Sequence, residues 1–214
     1  MTTNKTIFDD KTEVRYMTCT MRAAGDASAP VIEGDAAVFG QETVIGSWFR
    51  EKIRQGAFTR VLSEQPDVIA AFNHDWNVVL GRTTSNTLRL EQTSTALRYS
   101  VDVNLADPQA VSVYEKVKRG DVSQSSFAFT VRSEEWTKGD GPNELALREI
   151  VEVDQLLDVS PVTFPAYPQT SVSARSKYQQ LQEQEPQAAS GDADAKAQAR
   201  RRHLQLLSLN QPKE

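Results

Sequence analysis

The chain holds two histidines, so any imidazole chemistry must run through His74 or His203. His203 stands beside three arginines in a glutamine-rich stretch. His74 instead follows the apolar run VIAAF in AAFNHDWNVVLGRT (70–83), where a strand should end and a side chain can face a cleft. A lone histidine is structural until it finds partners. The partners that would make it a base are a hydroxyl, whose proton it can take, and a carboxylate, which fixes its tautomer and stabilises the imidazolium.

The stretch SQSSFAFTV (123–131) places two adjacent hydroxyls, Ser125 and Ser126, at the start of an apolar run. Successive side chains of a strand point to opposite faces. Ser125, Phe127, Phe129 and Val131 therefore share one face, and Ser126, Ala128 and Thr130 the other. The phenylalanines belong in the core, which makes Ser126 the hydroxyl facing a cleft, with Ala128 leaving room beside it. The same parity in LLDVSPVTFPA (156–166) sets Leu157 and Val159 on one face and Asp158 and Ser160 on the other. Asp158 can orient an imidazole; Glu149, Glu152 and Asp154 compete for that role. A metal hydrolase built on His74 and Asp75 would need more nitrogen or carboxylate ligands nearby, and the other histidine lies in the tail.

The elements that must carry these residues are mainly strands. EVRYMTCTM (13–21), PVIEGDAAVFG (30–40), PDVIAAF (66–72), TLRLEQ (87–92), ALRYSVDV (96–103), SFAFTVRSEEW (126–136) and LREIVEVDQLL (147–157) show apolar residues at period two between turn-forming residues. Two helices interrupt them. AFTRVLSEQ (57–65) is short, and DPQAVSVYEKVKRG (107–120) has Asp107 as N-cap, Pro108 at the first helical position and Gly120 as stop. This pattern predicts an α+β, mainly β fold, a small closed or half-closed barrel with a few flanking helices.

From Ser176 the composition turns to Gln, Ala and charge, with a faint leucine stripe through Leu204, Leu207 and Leu209. The predicted organisation is an N-terminal arm over 1–12, a folded domain over 13–175 and a flexible, partly helical tail over 176–214. The RRRH run at 200–203 reads as a solvated patch or a dock for an acidic partner. A net charge of −5 does not suggest a nucleic-acid partner. No stretch has the apolar length to cross a bilayer, and the N-terminus lacks the apolar core of a secretory signal, so the chain reads as unexported and not membrane-bound. One cysteine, Cys19, excludes an internal disulfide and a cysteine zinc cluster, and reads as a small hydrophobe in a strand.

Five ordered blocks give the chain a resemblance to the prohead proteases of tailed bacteriophages, of the HK97 type, which are similar in fold to the herpesvirus capsid-assembly proteases. They are GDAAVFG (34–40), EKIRQGAF (51–58), FNHDWNVVLGRT (72–83), KRGDVSQSSFAF (118–129) and LLDVSPVTFPAYPQT (156–170). The resemblance runs from about Val31 to Ala174. It implies a herpesvirus-assemblin-like barrel and a serine endopeptidase without cofactor, with His74 as the histidine, Ser126 as the nucleophile and Asp158 as the acidic third member. Gln55 stands where the family commonly has proline, Ser125 where methionine is frequent, Ala128 in place of a glycine and Asp158 where many relatives have glutamate. Aspartate is shorter by one methylene and must approach the imidazole more closely.

The resemblance further implies a scaffold segment of the phage major capsid protein, or a separate scaffold protein, as substrate, together with the protease itself. The work would be done in the host cytoplasm inside the prohead. It admits a homodimer, as in the herpesvirus relatives. Oxyanion donors are not identified by the sequence; Arg82, in the LGRT turn, is a candidate by proximity along the chain, with a structural salt bridge as the competing role. The alternative from another class is a catalytically silent scaffold or capsid-assembly protein, which loss of any of the three residue types would have favoured.

Overall fold

A computed structural model describes residues 11–17, 21–139, 144–163 and 178. Cys19, most of the N-terminal arm, FPAYPQT and the tail with its RRRH run, His203 and leucine stripe lie outside the described residues, Tyr178 excepted. The chain divides into two units, Met1–Arg175 and Ser176–Glu214, and all the strands and helices named here lie in the first.

In chain order the first half contains β1 (Glu13–Met17), β2 (Met21–Asp26), β3 (Ala29–Val38), β4 (Thr43–Ile45), β5 (Phe49–Ile53), α1 (Thr59–Ser63), β6 (Ile69–Phe72) and β7 (Asp75–Arg82). The second contains β8 (Leu88–Gln92), β9 (Ala96–Asp102), α2 (Pro108–Arg119), β10 (Gln124–Thr137) and β11 (Leu147–Val162). They form a seven-stranded sheet, ordered β1-β10-β11-β5-β4 with β6 joined to β11 and β7 to β6, and a four-stranded sheet ordered β2-β3-β9-β8. The expected mainly β class holds. A closed barrel does not: among the described residues no ladder joins the two sheets. EVRYMTCTM, expected as one strand, is divided between the sheets, with β1 ending at Met17 and β2 starting at Met21.

The inner faces of the sheets meet in one apolar core. Ile32, Leu97, Tyr99 and Val101 come from the four-stranded sheet, and Phe127, Phe129, Leu156 and Val159 from the other. Phe127 and Phe129 stack with ring centroids 4.7 Å apart, and neither has exposed surface. Burial of such a ring stabilises the fold by about 2–3 kcal/mol, enough to set the parity of β10. α2 follows its expected caps: the Asp107 side chain accepts from the Gln109 N–H at 2.9 Å, and Gly120 adopts the left-handed φ of 89° that lets the chain turn away.

β11 departs from strict alternation. Ala128 pairs with Asp158 and Phe129 with Leu156, which leaves Leu157 as the extra residue of a β-bulge. Leu157, expected beside Val159 on the core face, is half-buried, and Leu156 enters the core instead.

A buried ion network ties β1 into its sheet. Arg15 donates to Glu51 through Nε (2.5 Å) and Nη2 (2.7 Å), and also to Glu13. Arg148 on β11 donates to Glu13 at 2.7 and 2.8 Å, to Glu51 at 2.8 Å and to Glu134 at 2.7 Å. Burial alone would lower the affinity of both guanidinium groups for their protons, but the facing carboxylates hold both pKa values above the ordinary arginine value.

Candidate active site

β10 and β11 run antiparallel, with Ser126 opposite Ser160 and Ala128 opposite Asp158. Opposed residues of an antiparallel pair point to the same face. One side of the ladder therefore carries Ser126, Ser160 and Asp158, with the small Ala128 completing the patch.

The histidine arrives from a different hairpin. β6 lies parallel to β11, with Ile69 opposite Asp158, and returns as β7 through a two-residue turn, Asn73-His74. Both turn residues have positive φ, 55° and 58°, as a type I′ hairpin requires. Asparagine tolerates this region better than most residues. The Asn73 side chain also clamps the turn to the end of β11: Oδ1 accepts from the Thr163 N–H at 2.9 Å, and Nδ2 donates to Thr163 Oγ1 at 3.3 Å. Asn73→Ala should lower stability by about 1–3 kcal/mol, from the lost bonds and the strained φ, and should lower activity as the turn loosens. Asn73→Gly restores the backbone freedom without the clamp. Urea titration and turnover of both variants separate the two contributions.

The outcome is a continuous hydrogen-bonded line. His74 Nδ1 lies 2.8 Å from Asp158 Oδ1, and His74 Nε2 lies 2.5 Å from Ser126 Oγ. A carboxylate oxygen only accepts, so Nδ1 carries the proton and Nε2 presents its lone pair to the serine. Asp158, despite its shorter reach, meets the imidazole. Ser126 and Asp158 have no exposed surface, while the His74 side chain is 11 % exposed. Ser125 faces the core, where its Oγ lies 2.9 Å from the Tyr99 hydroxyl. The two serines thus divide as their parity predicts.

The competing carboxylates are engaged elsewhere. Glu149 accepts from Arg54 at 2.8 Å, Glu152 from Arg60 at 2.6 Å, and Asp154 pairs with Arg60 at 3.3 Å. Asp75 turns back into its own hairpin, accepting from the Asn77 N–H at 2.9 Å. Arg82 points its Nε and Nη2 at Asp67, at 2.7 and 2.5 Å, and that ion pair holds the Asp67 carboxyl below its usual range. Its guanidinium is occupied by the salt-bridge role.

Four contributions lay beyond the sequence reading. β1 pairs with β10 so that Tyr16 stands opposite Ser126. The Tyr16 ring meets the imidazole edge-on, with centroids 5.8 Å apart. The Arg15 carbonyl oxygen lies 2.8 Å from Ser126 Oγ. Trp76 Nε1 lies 3.2 Å and Ser160 Oγ 2.5 Å from the Asp158 carboxylate. Only Ser160 had a visible signal, its shared parity with Asp158.

Burial, and then the facing Asp158 carboxylate, raise the Tyr16 phenol above its ordinary pKa. The folded protein therefore keeps this proton at a pH where the unfolded chain has lost it. Tyr16 consequently makes stability fall as pH rises past the ordinary tyrosine value of about 10. In Asp158→Asn the burial remains and the charge is gone, so the Tyr16 titration should move to lower pH. Ultraviolet difference titration measures this; an unmoved midpoint would mean that the carboxylate does not act on the phenol.

A serine hydroxyl, an imidazole and a carboxylate joined in this order form the arrangement used by serine hydrolases for acyl transfer. The model of the caudovirus prohead serine protease family matches residues 17–184, and the chain belongs to that family. It is thereby a serine protease of phage capsid maturation. No curated protein and no solved structure matches the chain.

Proposed function

We propose that Ser126 is the nucleophile, His74 the base and Asp158 its orienting carboxylate in a serine endopeptidase that cuts the scaffold segment of the phage major capsid protein, or a separate scaffold protein, and the protease itself. The observation that carries this reading is the unbroken Ser126–His74–Asp158 line in a chain of the prohead serine protease family. The half-open, herpesvirus-like barrel belongs to the same reading, supported by two sheets that pack on one core without closing.

In the first step Ser126 Oγ attacks the scissile carbonyl carbon while its proton passes to His74 Nε2. The imidazolium so formed is held by Asp158, which keeps its charge. Collapse of the tetrahedral intermediate breaks the C–N bond as Nε2–H gives its proton to the leaving amine, and water then repeats the sequence on the acyl-enzyme. Ser126 has one proton and two acceptors within reach, Nε2 and the Arg15 carbonyl. Productive attack requires the proton to be directed to Nε2.

Enclosure in the host cytoplasm within the prohead raises the effective concentration of substrate and confines the enzyme to its targets. Co-expression with the cognate capsid protein tests the whole reading. Intact-mass measurement should show capsid and protease chains shortened by wild type and both full-length with Ser126→Ala. A capsid protein left whole by wild type would leave the chain as a silent assembly factor. A shortened capsid protein beside an intact protease would remove self-cleavage alone.

A further inference from the structure

The Asp158 carboxylate is met by more donors than the imidazole alone. Ser160 Oγ lies 2.5 Å from Oδ1, the same oxygen that accepts from His74 Nδ1–H at 2.8 Å, and Trp76 Nε1 lies 3.2 Å from Oδ2. The donors reach the carboxylate from two elements: His74, in the turn, and Trp76 belong to the β6–β7 hairpin, and Ser160 lies two residues beyond Asp158 on β11. On β11 a spacing of two returns a side chain to the same face, so Ser160 shares the face of Asp158.

We propose that Ser160 and Trp76 are positioning residues, which lock the plane of the Asp158 carboxylate so that His74 presents Nε2 to Ser126. The proposal rests on the triad reading above. The torsion that turns an aspartate carboxylate is broad and two-fold, so one bond from the imidazole leaves the plane free to swing. An indole N–H can only donate, which makes Trp76 a fixed stop for Oδ2. Ser160, rooted on the same strand as Asp158 and as fully buried, sets the position of Oδ1. Both also satisfy a carboxylate that has no access to solvent, which keeps it an acceptor throughout the cycle. Misplacement by about 1 Å in such a site can cost about 100-fold in rate.

Trp76→Phe keeps the ring and removes the donor; Ser160→Ala keeps the strand and removes the hydroxyl. In the full-length chain, with purified cognate capsid protein as substrate, each should lower kcat by about 10- to 100-fold, the scale of one hydrogen bond to a charged group. KM should stay within about two-fold of wild type, since neither side chain is assigned a contact with substrate. In an Asp158→Ala background, read by single turnover with excess enzyme, neither change should slow cleavage further, because both act through the absent carboxylate. The low-field proton resonance of His74 Nδ1–H should shift in both variants, a readout that needs no substrate.

Unchanged kcat and an unmoved proton in the two variants, with Asp158→Ala inactive, would overturn the positioning role and leave the triad standing. An equal fold-loss persisting in the Asp158→Ala background would do the same, since it assigns the effect to general packing. Full activity of Asp158→Ala itself would remove the triad, and this proposal with it. Since Ser160→Ala lies in a buried strand, Trp76→Phe provides the independent test if that variant fails to fold.

Discussion

Ser126→Ala is expected to reduce cleavage of the capsid protein by about 10⁵- to 10⁶-fold, the scale of nucleophile loss in serine proteases, while losing about 1–2 kcal/mol of stability with its buried hydrogen bonds. Ser125→Ala is expected to lose stability on the same scale and to keep its activity. The two hydroxyls are neighbours in sequence, but Ser126 Oγ faces His74 Nε2, and Ser125 Oγ lies among core side chains against Tyr99. Losing the Ser125 hydroxyl removes a buried hydrogen bond and should lower stability by about 1–2 kcal/mol, while leaving the Ser126–His74–Asp158 line in place. Loss of the Ser126 hydroxyl leaves His74 and Asp158 with no oxygen to activate. Turnover separates the two variants, and urea denaturation checks that both are folded. If Ser125→Ala were the inactive one, the face assignment of β10 would be inverted and Ser126 would lose its role.

The facing of the two serines was legible because Phe127 and Phe129 must be buried, and in a strand their burial dictates where Ser126 points. On β11 alternation carries less far: the bulge at Leu157 resets the parity upstream of Asp158, and no feature of LLDVS announces it. β5 escaped notice because its core-facing positions are Phe49, Glu51 and Ile53, and the buried glutamate conceals the apolar period. Only its partners, Arg15 and Arg148, make that burial tolerable, and they lie on strands distant in sequence. Tyr16 and the Arg15 carbonyl were invisible for the same reason. They reach Ser126 through the β1–β10 pairing, the Arg15 carbonyl across 111 residues of chain, and no local pattern records a pairing. The choice of Asp158 over Glu149, Glu152 and Asp154 had a similar basis: each rival is taken by an arginine that only the fold brings near.

Arg148→Met should lower stability by about 3–5 kcal/mol, the scale on which breaking a buried ion pair acts. Arg148 has 1 % exposed surface and joins Glu13, Glu51 and Glu134, which lie on β1, β5 and β10. Its guanidinium also lies near the rings of Phe49 and Trp136, 6.0 and 5.9 Å from their centroids. Methionine fills much of the volume but leaves the buried Glu13 and Glu51 sharing the Arg15 guanidinium, and takes the arginine from Glu134. Most of the loss therefore comes from carboxylates left without compensation, not from missing packing, and a second substitution distinguishes the two origins. Glu13→Gln made in the Arg148→Met background should cost less than it does in wild type, or should raise stability, since it removes a charge that has lost one of its two arginines. Purely additive losses in urea titrations would assign the effect to packing. The strand expected to loosen first is β1, whose five residues pair with β10 alone among the described residues and whose Glu13 and Arg15 are anchored in the network. Amide exchange over residues 13–17 should accelerate in Arg148→Met while Phe127 and Phe129 stay protected. Because β1 supplies the carbonyl that competes for the Ser126 proton and the ring that borders His74, the same variant links a buried charge network to the state of the nucleophile.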